Sequence, residues 1–341
     1  MKKMGSVRFI LILAVLLFAS AFYYLPYYVS KPGMAKELEP IIEVEGGYEE
    51  EGSFMLTTIR MGRANIYSYL VAKLTDYQEI HPLEEIRAEN ETDEEYTARQ
   101  LHMMDSSKIN AIEVAYKKAS LPIEYDFNGV YVLQVIPEMP AEGKLMVGDR
   151  IVEIDGKPFA SSTEFIEYVG EKKLGETVTL TIQNKDENQE ITLPLKQFNE
   201  KSEKVGIGIS LVDDKEIKVT PEVNVQTDEI GGPSAGLMFS LEIYNQLIES
   251  DLTNGYEIAG TGTMSSDGTV GRIGGIEKKV VAADKAGAEI FLAPNEEGAS
   301  GSNYEAAVRT AKDINTKMKI VPIDNFEEAV NYLEQLKEKT S

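Results

Sequence analysis

The pattern of apolar and polar positions divides the chain into four stretches. The first is an uncharged, mostly apolar run from Phe9 to Val29, and the second extends from residue 30 to residue 120. In the second stretch, alternation and helical spacing predict strands at Ile41–Val44 and Phe54–Ile59 and helices at Asn65–Thr75 and Thr92–Ala119. We expect this mixed α/β segment to pack with the C-terminal domain.

The third and fourth stretches differ in their predicted secondary structure. Residues 121–199 contain short apolar strands broken by glycine turns, which is typical of a small β-rich domain. Residues 200–341 alternate strand and helix, which predicts an α/β domain. Its predicted strands are Val205–Leu211, Ile217–Val225, Glu289–Leu292 and Lys319–Pro322, and its predicted helices are Ser234–Ile248, Ile276–Ala286, Tyr304–Ala311 and Phe326–Leu336. Asp324 and Glu327 form a predicted capping box for the last helix.

The N-terminal run predicts a membrane anchor. Its 21 residues, 9–29, suffice to span the ~30 Å hydrocarbon layer as a helix. Because Lys2, Lys3 and Arg8 precede it, we expect residues 1–8 to be a cytoplasmic tail and the rest to lie on the extracellular side. The residues that fit an outer interfacial belt are Tyr23, Tyr24, Tyr27 and Tyr28. A cleaved signal peptide is the alternative, since Ala19-Ser20-Ala21 has the form of a cleavage site.

Composition excludes several classes of function. The formal net charge of −23 over 341 residues argues against nucleic acid as a partner. The absence of cysteine excludes disulfides and thiolate metal sites. His81 and His102 lack a ligand spacing, and the acidic runs lack the turn glycine of a calcium loop, so we expect no metal or cofactor. We expect an α+β multidomain fold, since 341 residues are enough for two or three domains.

Ser234 is the candidate nucleophile. It lies in Gly231-Gly232-Pro233-Ser234-Ala235-Gly236, directly before a predicted apolar helix. The unpaired N–H groups and the dipole at a helix N-terminus stabilise a developing oxyanion, so the backbone at Gly232 and Ala235 is predicted to contact the oxyanion or the substrate backbone. Serine is also a preferred helix cap, and this segment alone leaves both interpretations open.

Lys279 is the candidate general base. In the helix predicted to start at Ile276, Val280 and Ala283 share an apolar face with Ile276, and Lys279 falls beside that face while Lys278 falls opposite. Burial disfavours the charged amine and lowers its pKa, so that it can accept a proton from a serine. A surface lysine with its stem along apolar residues is the alternative.

Together these segments resemble the proteolytic domain of the Lon family, in which a serine within Pro-Ser-Ala-Gly pairs with a lysine that follows a Gly-Gly turn. Ser234 and Lys279 are 45 positions apart, and Thr261-Gly262 matches a family Thr-Gly. The resemblance implies that Thr261 orients the lysine. Where Lon proteins usually have Asp-Gly-Pro-Ser, this chain has a glycine at 231, and the histidines often found upstream of the serine are absent.

Residues 129–157 resemble a bacterial PDZ domain, through Gly129-Val130-Tyr131-Val132, Val147-Gly148-Asp149-Arg150-Ile151 and Asp155-Gly156-Lys157. The resemblance implies binding of an extended peptide by strand addition. The peptide-binding residues are then predicted at Phe127, Asn128, Gly129 and Val130. No Gly-Leu-Gly-Phe-like carboxylate loop precedes this strand, where Tyr125-Asp126 stands instead. A β domain that only spaces the protease from the membrane is the alternative.

The order anchor, PDZ domain and Lon-type protease resembles the YlbL-like membrane-anchored proteases of Gram-positive bacteria. No Gly-x-x-x-x-Gly-Lys-Ser/Thr sequence occurs, so we expect no nucleotide and no ATP-driven unfolding. The resemblance implies an endopeptidase acting on exported peptides or unfolded segments. The alternatives are a catalytically silent scaffold or chaperone, and a serine esterase, which is disfavoured because both histidines precede Ser234. Lon domains often form homo-oligomeric rings, and the sequence leaves that open.

Overall fold

The computed structural model describes residues 11–14, 17–18, 20–87, 91–184, 187–198, 204–227 and 230–339. Its strands are β1 (Tyr24–Glu37), β2 (Ile42–Val44), β3 (Ser53–Asn65), β4 (Glu79–Pro82), β5 (Ile123–Val135), β6 (Arg150–Ile154), β7 (Lys157–Pro158), β8 (Thr177–Asn184), β9 (Glu187–Pro194), β10 (Lys196–Gln197), β11 (Val205–Gly206), β12 (Ile209–Val219), β13 (Val223–Val225), β14 (Glu257–Gly260), β15 (Thr263–Met264), β16 (Val270–Gly271), β17 (Ile290–Pro294) and β18 (Lys319–Ile323). Its helices are α1 (Ile66–Ala72), α2 (Leu83–Ile86), α3 (Asp93–Lys118), α4 (Ser162–Gly170), α5 (Gly236–Leu247), α6 (Ile276–Ala286), α7 (Asn303–Asp313) and α8 (Phe326–Glu334).

One of the two six-stranded sheets combines strands from both ends of the chain, in the order β18-β17-β14-β3-β1-β4. Its first four strands are parallel, whereas β1 pairs antiparallel with both β3 and β4. Phe54 and Leu56 of β3 are buried in the same apolar cluster as Phe239 of α5 and Leu292 of β17. The segment before the β-rich domain is therefore part of the C-terminal α/β unit, and the β-rich domain is inserted into it.

The inserted domain is an antiparallel sheet with the order β12-β5-β6-β8-β9 and its own apolar core, which includes Val132, Ile151 and Leu180. We expected this domain to end at residue 199, but β12 (Ile209–Val219) pairs along the length of β5. The boundary therefore lies beyond residue 219. The sequence pattern split β12 between two predicted strands because its charged central residues interrupt the alternation.

The N-terminal prediction needs a correction. Strand β1 begins at Tyr24, so residues 24–29 of the expected 9–29 helix are extended and paired with β3 and β4. Tyr28 is buried and Tyr27 packs on Tyr69 at 5.3 Å between ring centroids, so neither lies in an exposed belt. In the part of the chain that the structure describes, no helix is long and apolar enough to cross a membrane. The basic residues 2, 3 and 8 lie outside the described residues.

Helix termini follow local capping chemistry. Thr92 and Glu95 form a reciprocal capping box at the start of α3, where the pattern predicted a helix. At α8 the predicted pair Asp324 and Glu327 is wrong by one position. Asn325 caps that helix by accepting from the Glu328 amide at 2.9 Å.

Candidate active site

The segment around Ser234 turns sharply before helix α5. The helix begins at Gly236, two residues later than predicted, and its N-cap is Ala235, which makes no side-chain capping bond. The Ser234 hydroxyl is therefore not used as a helix cap. Gly236 packs so closely that a Cβ there would lie 2.7 Å from Cβ of Met264 and 2.8 Å from Oγ of Ser107.

Helix α3 holds this segment from the other side. The Gly232 amide donates to the Gln100 carbonyl at 2.9 Å, and the Ser107 hydroxyl donates to the Pro233 carbonyl at 3.0 Å. Gly232 has φ of 88°, a conformation that glycine adopts without strain. Because its amide is already bonded, Gly232 does not donate to an oxyanion in this arrangement, and contact of Gly232 with the substrate backbone stays a prediction. In the described part of the chain, the amides of Ser234 and Ala235 have no acceptor.

Lys279 lies on the first turn of α6 and is 2% exposed. Its Nζ lies 2.7 Å from Ser234 Oγ, 3.0 Å from the Thr57 carbonyl oxygen and 3.0 Å from Thr261 Oγ1. Burial lowers the pKa of Lys279 to about 7. A substantial fraction of the amine is therefore neutral near neutral pH.

The three contacts of Nζ match the bonding capacity of a neutral amine, which has two N–H groups and one lone pair. The Thr57 carbonyl can only accept. Thr261 Oγ1 donates its own hydrogen to the Ser234 carbonyl at 2.9 Å, so it too accepts from Lys279. The remaining partner, Ser234 Oγ, is then free to donate its proton to the lone pair.

Thr261 follows strand β14 and joins both sides of the site. Besides its contacts to Lys279 and the Ser234 carbonyl, its amide donates to the Leu292 carbonyl at 3.1 Å. The next amide, of Gly262, also donates to the Ser234 carbonyl, at 3.0 Å. The threonine side chain therefore has a fixed position from which it can orient the lysine.

Replacement of Thr261 with valine is expected to lower kcat by about 10- to 100-fold with little change in KM, because the lysine loses one acceptor that fixes its direction. An acceptor favours the charged amine, so its removal should also move the midpoint of the pH–rate profile downward. Thr310→Val is the matched control, because Thr310 is equally buried in α7 and bonds only its own helix. Equal losses in the two variants contradict this role for Thr261.

Lys278 differs from the sequence expectation. It was predicted to lie opposite the apolar face, but it is 4% exposed, and its Nζ donates to Glu79 Oε2 at 2.6 Å. Helix α6 packs on β1 and β3, and Glu79 belongs to β4, an edge strand that the sequence pattern did not predict. Both neighbouring lysines are therefore buried, and only Lys279 faces Ser234.

Two contributors to the site have no signature in the sequence. The Thr57 carbonyl belongs to the backbone of β3, and any residue at that position offers the same acceptor. Helix α3 reaches Pro233 through Ser107, which stands 126 positions away. The histidines take no part, since His81 bonds Ser30 and His102 stacks on Tyr131. In the described residues, no cluster of three or more His, Asp or Glu could hold a metal ion.

The inserted domain has a free strand edge, but not at Phe127–Val130. Those residues lie within β5, where β12 pairs with them on one side. In the described sheet β12 is the edge strand, and helix α4 packs next to it. The sequence Gly206-Ile207-Gly208 immediately precedes β12. A glycine-containing segment that could serve as the carboxylate loop of a PDZ domain therefore stands before the edge strand and not before β5.

Residues 162–335 match the family described as the Lon protease (S16) C-terminal proteolytic domain, and residues 93–195 match the PDZ domain family. The two matches overlap at residues 162–195, which the structure places in the inserted domain.

Two relatives are Lon proteases. That of Metamycoplasma arthritidis is 29% identical over 164 residues, which is 48% of this chain and 18% of the relative. That of Campylobacter concisus is 32% identical over 111 residues, which is 32% of this chain and 12% of the relative. The chain therefore spans less than a fifth of the length of either relative.

Among solved structures, the PDZ domain of the SdrC-like protein from Listeria monocytogenes is 42% identical and covers 26% of this chain and 90% of that one. The TM-score of this match is 0.24, which is too low to indicate a shared fold over the whole chain. The protease match, in contrast, covers just over half of the 341 residues. The chain belongs to the Lon protease (S16) C-terminal proteolytic domain family, and it contains a PDZ domain as well.

Proposed function

We propose that this chain is a serine endopeptidase with Ser234 as nucleophile and Lys279 as general base. The observation that carries the proposal is the 2.7 Å separation of Oγ and Nζ, together with two further oxygen acceptors, the Thr57 carbonyl and Thr261 Oγ1, each 3.0 Å from Nζ. Ser234 Oγ attacks the scissile carbonyl while Lys279 takes its proton, and Lys279 then returns that proton to the leaving amine. Water hydrolyses the resulting acyl-enzyme, with the same amine as base.

The amides of Ser234 and Ala235 supply the electrostatic part of the mechanism. Both lie at the N-terminal end of α5, a helix of 12 residues, where the dipole and the unbonded N–H groups favour negative charge. A tetrahedral oxyanion next to Ser234 can accept hydrogen bonds from them. Loss of one such donor typically lowers kcat by about 10²- to 10³-fold.

We propose that catalysis needs no nucleotide, because the chain contains no phosphate-binding loop sequence. We also propose, from the resemblance to membrane-anchored Lon-type proteases, that the substrates are exported peptides or unfolded segments. The full chain in detergent micelles should cleave unfolded casein at the same rate with and without ATP, and the Ser234→Ala variant should not cleave it. Binding of casein without any cleavage by the parent protein supports the scaffold alternative instead.

We propose that the PDZ domain binds extended peptide along the free edge of β12. A bound strand should protect edge-facing amides among residues 209–213 from hydrogen exchange, because only those amides gain an acceptor. Amides of Val130 and Tyr131, which pair with both β12 and β6, already lie between neighbouring strands and serve as the internal control. Exchange measured with and without an unfolded substrate peptide tests this assignment. Protection confined to residues 127–130 contradicts it.

We further propose that the N-terminal apolar segment anchors the chain in the cell membrane, with the protease on the extracellular side. The charge pattern supports this orientation, because Lys2, Lys3 and Arg8 precede the apolar run. Proteinase added to intact protoplasts should digest the catalytic domain. Complete protection contradicts the location, and recovery mainly as a processed soluble form supports the cleaved signal peptide.

A further inference from the structure

Helix α1 exposes an unusually apolar surface. The exposed fractions are 39% for Ile66, 40% for Tyr67, 54% for Leu70 and 51% for Val71 on the helix, and 88% for Leu74, two residues after its end. The opposite side is fixed to the protein, since Ala72 is buried in a cluster with Val29 and Ala64. We call these five exposed residues the α1 surface. Contiguous apolar patches of this kind mark interaction sites.

The N-terminal segment continues this surface. The Tyr67 hydroxyl donates to the Leu17 carbonyl at 2.8 Å, and the Asn65 side chain, which also caps α1, donates to the Ala21 carbonyl at 2.9 Å. The exposed large side chains of that segment are Leu11, Ile12, Leu13, Leu17, Phe18, Phe22 and Tyr23. The α1 surface and the apolar run therefore meet at fixed contacts.

Two cations, Arg63 and Lys73, lie near the α1 surface, and the first acidic residue after it is Asp76. Although the net charge is −23, residues 1–36 and 52–75 contain no aspartate or glutamate. In the described residues, Arg63 and Lys73 have no carboxylate partner, and each lies over a tyrosine ring, at 5.7 Å from the Tyr24 centroid and 4.8 Å from the Tyr69 centroid. Unpaired cations next to tyrosines are typical of the layer of lipid head groups.

The length of the apolar run brings the protein body to the same layer. Because β1 begins at Tyr24 and residues 21–23 are a turn, the part of the run that can form a helix ends at Ser20. Counted from Phe9 this is 12 residues, which as a helix would be about 18 Å long at 1.5 Å per residue, short of the ~30 Å hydrocarbon layer. A short span is accommodated when residues next to it enter the interface. Leu70 and Leu74 are exposed on the C-terminal part of α1 and just after it, and the N-terminal part of this helix contacts the run through Tyr67.

We propose that the α1 surface lies in the head-group layer of an anionic bilayer, with its apolar side chains inserted and Arg63 and Lys73 paired with lipid phosphates. The proposal rests on the membrane anchoring proposed above and adds a second point of attachment. Strand β3 leads from Asn65, which caps α1, to Thr57, which contacts Lys279. This is at most about 26 Å at 3.3 Å per residue. The active site then cleaves polypeptide segments close to the membrane surface.

The chain contains no tryptophan, so one introduced tryptophan is a unique probe. Leu74→Trp places it on the α1 surface, and Met146→Trp is the matched control, since Met146 is 68% exposed on the inserted domain. Each full-length variant is reconstituted in vesicles of phosphatidylglycerol and phosphatidylcholine, with or without brominated acyl chains. We expect bromine to quench tryptophan 74 at least twofold and to leave tryptophan 146 unchanged.

The outcomes separate the two proposals. A chain that floats with the vesicles but shows no bromine quenching at position 74 overturns the inference and leaves the anchoring intact. Absence from the floated fraction contradicts the anchoring and this inference together. A blue shift at position 74 without quenching, accompanied by cross-linking between copies, shows that a second copy covers the α1 surface and overturns the assignment to lipid. In the supporting case, Arg63→Glu with Lys73→Glu reduces the quenching at position 74.

Discussion

Replacement of Ser234 with alanine, or of Lys279 with arginine, is expected to lower kcat for peptide hydrolysis by about 10⁴-fold or more and to leave substrate binding in place. Alanine removes the attacking oxygen. A guanidinium stays protonated in proteins and cannot accept the serine proton, although it retains the positive charge. Hydrolysis of a reporter peptide and binding of the same peptide, measured on each full-length variant, test this expectation.

Lys278→Met is the control for the lysine variants. Lys278 is the adjacent residue and is also buried, but its amine bonds Glu79 instead of Ser234. We expect kcat within about threefold of the parent and a loss of stability of about 1 kcal/mol from the missing charged hydrogen bond. Should Lys278→Met abolish hydrolysis while Lys279→Arg retains it, the assignment of the base is wrong. Parent-like activity in all of these variants contradicts the serine–lysine mechanism altogether.

The sequence singled out Ser234 and Lys279, the two proposed reacting groups, because each carries a local pattern. Glycines and a proline mark the turn before Ser234, and a period of 3.6 residues places Lys279 beside the apolar face of α6, whose observed bounds, Ile276–Ala286, agree with the prediction. The same periodicity gave the wrong environment for Lys278. Helical periodicity predicts which face of a helix is apolar, but it does not reveal the ion-pair partner of Lys278, Glu79, which lies on β4 nearly 200 residues earlier.

The arrangement of domains was harder to predict from the sequence, because strand pairing between distant segments has no local signature. Strand β3 lies next to β14 although about 200 residues separate them, and β12 pairs with β5 across the whole inserted domain. A linear division of the chain therefore ended the inserted domain too early and placed the peptide-binding edge on β5. The glycines at 206 and 208 were visible in the sequence, but only the pairing shows that they precede an edge strand.

Lys279→Met is expected to stabilise the protease domain by about 4 kcal/mol at pH 7. The pKa of this amine is about 7 in the folded chain, against an ordinary lysine value of 10.5. Each unit of that difference corresponds to about 1.4 kcal/mol, so the upper bound is about 5 kcal/mol before the lost hydrogen bonds are subtracted. Methionine has a similar length, carries no charge and packs in the same apolar surroundings.

The dependence on pH distinguishes this effect from a general gain in packing. Between pH 7 and 10.5 the unfolded parent binds more protons than the folded parent, so the stability of the parent rises with pH across that window. The methionine variant has no such group, and its advantage should be largest at pH 7 and below and should approach zero near pH 10.5. Urea unfolding of both proteins at pH 7, 8.5 and 10 measures the difference. An advantage that stays constant with pH shows that Lys279 is not held as a neutral amine, and the proton transfer from Ser234 then lacks its base.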